Sequence, residues 1–140
     1  MKALSLIFAL AAFNSGVASE TSLNIRIIAN SSINTNEISR YDLNEIFLLT
    51  KTSFAGSDHV EPVLLKNCSC NSAFVSEYLG KSDSALTTYY RSLMFAGKAS
   101  IPRSFDSESK LAAYVARTKG AIGYIANGDS PPSVKILKVI

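Results

Sequence analysis

The chain is poor in the residues from which metal and disulfide centres are built. One His and two Cys in 140 residues fall one ligand short of a closed zinc site and are too few for a scaffold of several disulfides. There is no Trp, no internal repeat and no low-complexity tract. A strong excess of one charge is missing as well. Fourteen Lys and Arg face eleven Asp and Glu, scattered from Arg26 to Lys138, too weak a field to imply nucleic acid as a partner. What is present is apolar: hydrophobic residues make up 47% and charged residues 18%, which excludes a disordered chain and predicts one domain with one core.

Only one long apolar run occurs, residues 3–13, preceded by Lys2 and followed by small residues ending in Val17, Ala18 and Ser19. That pattern is a cleaved export signal, and the run is shorter than the roughly 20 residues a membrane span needs. The expected organisation is therefore a signal peptide over residues 1–19 and a single domain over residues 20–140. The mature domain is expected to be periplasmic or secreted, in an oxidising compartment.

Alternation with β-branched Ile25, Ile27 and Ile28 predicts a strand over residues 23–29, closed by Asn30, Ser31 and Ser32. Ser39 followed by Asp42 caps a helix carrying Leu43, Ile46 and Phe47 and ending near Leu49. Residues 60–66 read as a second strand, with Pro62 at an edge. A helix with Phe74, Val75, Tyr78 and Leu79 on one face begins at about Ser72 and closes at Gly80; Asn71 or Ser72 is its natural cap. Ser82 caps a third helix carrying Leu86, Tyr89, Tyr90, Leu93 and Met94, and Asp106 or Ser107 caps a fourth that closes at Gly120. Two strands follow, residues 121–126 and 134–140, around a turn with Asn127, Gly128, Pro131 and Pro132. Helices between strands imply crossovers, so the expected fold is α/β with a mixed sheet flanked by helices.

For chemistry, the segment from Lys66 to Ser72 stands out because it leads from a strand end into a helix. Free N–H groups at a helix start, short hydroxyls and a nearby ammonium suit an oxyanion, with Ser69, Asn71, Ser72 and Lys66 as contacts; the same residues also serve simply to cap the helix. Cys68 and Cys70 enclose one residue, which allows a disulfide, a pair of thiols or bonds to other chains. His59 lies in a polar loop without a nucleophile motif beside it, and the Tyr residues read as core aromatics with a polar tip. Arg91, Arg103, Arg117 and Lys119 are either scattered surface charge or a convergent cationic set.

The run Ile38-Ser-Arg-Tyr-Asp-Leu-Asn-Glu-Ile-Phe-Leu, residues 74–80, residues 90–97 and above all Gly120-Ala-Ile-Gly-Tyr-Ile125 resemble the phosphate-type periplasmic substrate-binding proteins of ABC transporters. The resemblance covers nearly all of the mature chain and is to one lobe of these two-lobed proteins. It implies a periplasmic-binding-protein-like lobe and a non-enzymatic solute-binding role, with phosphate or a similar small anion as ligand and a membrane permease as partner. A Ser-Gly-Thr-like turn supplies the anion donors in that family, and residues 68–72 hold the comparable place. The alternative is a single-lobe interaction or sensory partner of an envelope receptor, with no small ligand. A homodimer that rebuilds a two-walled cleft is a further expectation.

Overall fold

A computed structural model describes residues 24–126 and 130–140. The export signal over residues 1–19, the domain start at Glu20 and the turn residues Asn127 and Gly128 lie outside the described residues. The elements follow in the order β1 (Arg26–Asn30), β2 (Glu37–Ile38), α1 (Arg40–Phe47), β3 (Glu61–Pro62) and β4 (Leu64–Leu65). Then come α2 (Ser69–Phe74), a continuing π-helical segment (Val75–Leu79), α3 (Asp83–Phe95), β5 (Ser104–Phe105), α4 (Glu108–Arg117), β6 (Ala121–Ile125) and β7 (Val134–Val139).

Five strands form a mixed sheet in the order β2-β7-β1-β6-β3, and β4 with β5 makes a small parallel pair beside it. The last two long strands do not form a hairpin. β6 and β7 each pair antiparallel with β1, which lies between them. The extended run expected over residues 60–66 is divided in two for a physical reason. Glu61 and Val63 donate their N–H groups to Gly120 and Ile122, whereas Leu64 and Lys66 donate to Arg103 and Phe105. Successive residues of an extended chain point to opposite sides, so one segment serves both sheets, and Pro62, which has no N–H, sits at the edge of the larger one.

Side-chain alternation on β6 places helices on both faces. Gly123 lies under α4, where Leu111 and Val63 occupy the space a side chain would need. Tyr124 points the other way, into Phe47 of α1 and Phe74 of α2. Asn30, the one buried polar side chain among the described residues, donates to the carbonyls of Val115 (2.8 Å) and Ala116 (3.1 Å), satisfying the otherwise open end of α4.

Helix α1 is capped as expected: Ser39 accepts from the Asp42 N–H at 3.0 Å, and Lys51 binds the Asp42 carboxylate at 2.9 Å. Ser82 and Ser107 cap α3 and α4. On α3, Leu86 and Tyr90 are buried, whereas Met94 is 43% exposed. The start of α2 differs from expectation, falling at Ser69 rather than near Ser72.

Two measurements test this architecture. A Cβ at Gly120, whose φ is 77°, would run into the His59 carbonyl, a backbone group that cannot swing aside, whereas at Gly123 it would meet movable side-chain atoms of Leu111 at 2.7 Å. Urea unfolding is expected to show Gly123→Ala less stable by about 1–3 kcal/mol, with Gly120→Ala losing more. The Lys51 hydrogen bond, aided by Ser39 and the Lys51 charge, holds the Asp42 carboxyl below its ordinary value against partial burial. Its stabilisation is therefore complete above the unfolded carboxylate range and vanishes as pH falls through the lowered folded value. Lys51→Met should remove a few tenths of a kcal/mol at neutral pH and flatten the acid limb of the stability profile.

Candidate functional site

The site is built by two short strands that each run straight into a helix. β4 and β5 are parallel, with Leu64 opposite Ser104 and Leu65 opposite Phe105, so α2 and α4 leave from the same end of the pair. Between the two helix starts lies a cavity of about 270 Å³, lined by Leu65 and residues 68–70 and 106–108.

On the α2 side, Asn67 turns the chain with φ 57°, a conformation a short polar side chain tolerates. Cys68 then stands extended as the cap residue. Because sulfur replaces the usual capping oxygen, no side-chain cap bond forms, and Cys68 is joined instead to Cys70 by a disulfide across the first turn. The Asn71 N–H reaches back to the Cys68 carbonyl at 3.2 Å. The N–H groups of Ser69 and Cys70 have no hydrogen-bond partner among the described residues. On the α4 side, Ser107 caps the helix by accepting from the Lys110 N–H at 3.2 Å.

Charge at the mouth is mixed. Lys110 binds Asp106 at 3.0 Å and, with Lys66 adding a smaller effect, holds that carboxyl below its ordinary range. Glu108 accepts from the Ala126 N–H at 2.5 Å. Two ammonium groups and two helix starts thus face two carboxylates.

Lys66 and Ser69 are both exposed, Ser69 lining the cavity and Lys66 close enough to act on Asp106. Asn71 and Ser72 are engaged elsewhere. Ser72 Oγ donates to Asp83 Oδ2 at 2.5 Å and Asn71 Nδ2 to Asp83 Oδ1 at 3.2 Å, while Asn71 Oδ1 accepts from the Tyr124 hydroxyl. Tyr124 in turn accepts from the Leu65 N–H at 2.9 Å, and its ring stacks on Phe74 with centroids 4.0 Å apart. Burial pushes the Tyr124 phenol well above its ordinary value, so it remains a donor throughout the usual pH range.

Asp83, Asp106 and Glu108 were not legible as site residues, although the sequence marks helix starts beside them. The available signal was the repetition of a strand end followed by a polar step and a Ser, at Leu65 to Ser69 and again at Phe105 to Ser107. Arg103 and Arg117 converge on the Tyr114 ring, at 5.5 and 5.6 Å, rather than on an anion position. His59 is exposed beside a second groove of about 600 Å³ along β3.

No protein-family model and no curated protein sequence matches the chain. Solved structures do. An ABC-type phosphate transport receptor from Vibrio cholerae superposes with a TM-score of 0.56 at 16% identity over 82% of this chain and 45% of its own. A protein assigned as a phosphate ABC transporter substrate-binding protein from Clostridium perfringens, with bound phosphate, gives 0.63 at 18% over 82% and 44%. PstS from Borrelia burgdorferi gives 0.62 at 14% over 82% and 46%. The chain thus spans less than half the length of these neighbours. The likeness establishes the fold, a mixed sheet flanked by helices as in a lobe of these binding proteins, in accord with the expectation drawn from the order of elements and from residues 38–48, 74–80, 90–97 and 120–125.

The hydroxyl of Tyr124 is the link between β6, the end of β4 and the first turn of α2. Tyr124→Phe keeps the ring but leaves the Leu65 N–H and Asn71 without their partner. It is expected to cost about 1–3 kcal/mol in urea unfolding and to speed hydrogen exchange at the Leu65 amide; an unchanged stability and exchange rate would count against this role.

Proposed function

We propose that the chain is an exported, non-enzymatic solute-binding lobe that takes a small oxyanion of the phosphate type at the mouth between α2 and α4, for a membrane permease or an envelope receptor. In this reading residues 1–19 are the export signal and residues 20–140 form a periplasmic or secreted domain. The observation that carries it is the meeting of two helix starts on one cavity at the carboxyl ends of a parallel strand pair. Open α/β sheets bind ligands at such ends, and helix N-termini favour negative charge. The likeness to proteins described as phosphate receptors supports the same class.

Lys66, the Ser69 hydroxyl and the N–H groups of Ser69 and Cys70 are the direct contacts. Asn71 and Ser72, whose side chains hold Asp83 and do not line the cavity, brace the first turn that carries these donors. The carboxylates of Asp106 and Glu108 favour an anion that still carries a proton, because a fully deprotonated one meets like charge without relief. Hydrogen phosphate has such a proton and sulfate does not.

The contacts made by Asp83 favour a second reading, in which the donors serve only to brace α2 against α3 and the lobe is an interaction or sensory subunit without a small ligand. Titration calorimetry separates the two. Phosphate is expected to give saturable heat and sulfate at least tenfold weaker binding, with Lys66→Met and Ser69→Ala each raising Kd roughly 5–10-fold through loss of about 1–1.4 kcal/mol. Absence of heat at millimolar phosphate overturns the oxyanion reading and leaves the interaction subunit.

A further inference from the structure

A surface at the far end of α3 stands apart from the mouth. Among the described residues, three of the six large apolar side chains exposed to solvent fall within eight positions: Met94, Phe95 and Ile101, at 43%, 83% and 45% exposure. The helix ends at Phe95, Gly97 turns the chain with φ 67°, and the Lys98 N–H closes the turn on the Leu93 carbonyl at 2.9 Å. Phe95 therefore projects from a tightly closed helix end.

Along the chain the charge beside this knob has one sign, and the acidic residue that approaches it from elsewhere, Glu61, lies against Arg103. Between Asp83 and Asp106 the chain has no acidic residue, only Arg91, Lys98 and Arg103. Arg103 lies 3.6 Å from Glu61, but Arg91 and Lys98, both exposed, have no ion-pair partner among the described residues. Asp83 sits at the opposite end of α3, about 18 Å away at roughly 1.5 Å per residue.

We infer that this knob docks on an anionic phospholipid surface, with Phe95, Met94 and Ile101 entering the interface and Arg91 and Lys98 held at the headgroups. The size of the patch decides between occupants. A stable protein interface covers roughly 800 Å² on each side, more than these three side chains supply; Ile101 is the one of them that lines the groove along β3. A bilayer surface makes no such demand. It accepts apolar side chains one at a time and rewards nearby cations through its negative potential.

The absence of Trp supplies the test, because Phe95→Trp in the full chain becomes the sole indole and reports its own surroundings. Vesicles of equal parts phosphatidylglycerol and phosphatidylcholine are expected to shift its emission to shorter wavelength, and brominated acyl chains to quench it. Phosphatidylcholine alone should do neither. Adding Arg91→Glu and Lys98→Glu should weaken the vesicle titration about tenfold or more. A Tyr41→Trp reporter, at a residue 71% exposed on α1, should stay unshifted. An unmoved Phe95→Trp emission, an equal response to zwitterionic vesicles, indifference to the charge reversals, or an equal shift at Tyr41→Trp overturns the inference; the first of these leaves an acidic protein surface as the occupant. None of these readouts depends on what the mouth between α2 and α4 holds.

Discussion

The contact on which the site depends is the Tyr124 hydroxyl, held between the Leu65 N–H and Asn71 Oδ1. A phenol buried in an apolar layer needs a partner for its proton and one for its lone pairs, and here the two partners belong to different elements. Its ring fills the space between Phe47 and Phe74, so the same side chain that packs the core also sets the distance from β6 to the start of α2.

Around that link the chain solves a topological problem economically. The segment from Glu61 to Lys66 gives its odd N–H groups to β6 and its even ones to the neighbourhood of β5, which ties the large sheet to the small parallel pair without an extra strand. Parallel pairing then forces α2 and α4 to begin side by side. Two helix N-termini in one place favour negative charge, and the molecule partly answers them with its own carboxylates: Asp83 on the side chains of Asn71 and Ser72, and Asp106 and Glu108 at the rim.

Local patterns announced much of this. Ser39, Ser82 and Ser107 are caps because a hydroxyl three residues before a free N–H can reach it from an extended cap conformation, a rule that needs no tertiary information. Gly80, Gly97 and Gly120 close their helices in the left-handed region for an equally local reason. The start of α2 escaped these rules because its cap, Cys68, carries no oxygen. The division of residues 60–66 escaped them because which strand pairs on each side is a property of the folded sheet, not of the segment.

From its residue order alone this protein was determined to be an α/β domain with four helices, three of them capped by Ser39, Ser82 and Ser107, a final pair of strands and a polar, hydroxyl-bearing step into the second helix, since caps, turns and periodicity act over a few neighbouring residues. Only the tertiary structure decided that β1 separates β6 from β7, that residues 66–69 meet residues 106–108, and that Asp83 takes the donors of Asn71 and Ser72. Those are contacts between residues 11 to 110 positions apart, and they exist because burial of one shared core, rather than any local preference, brings the elements together.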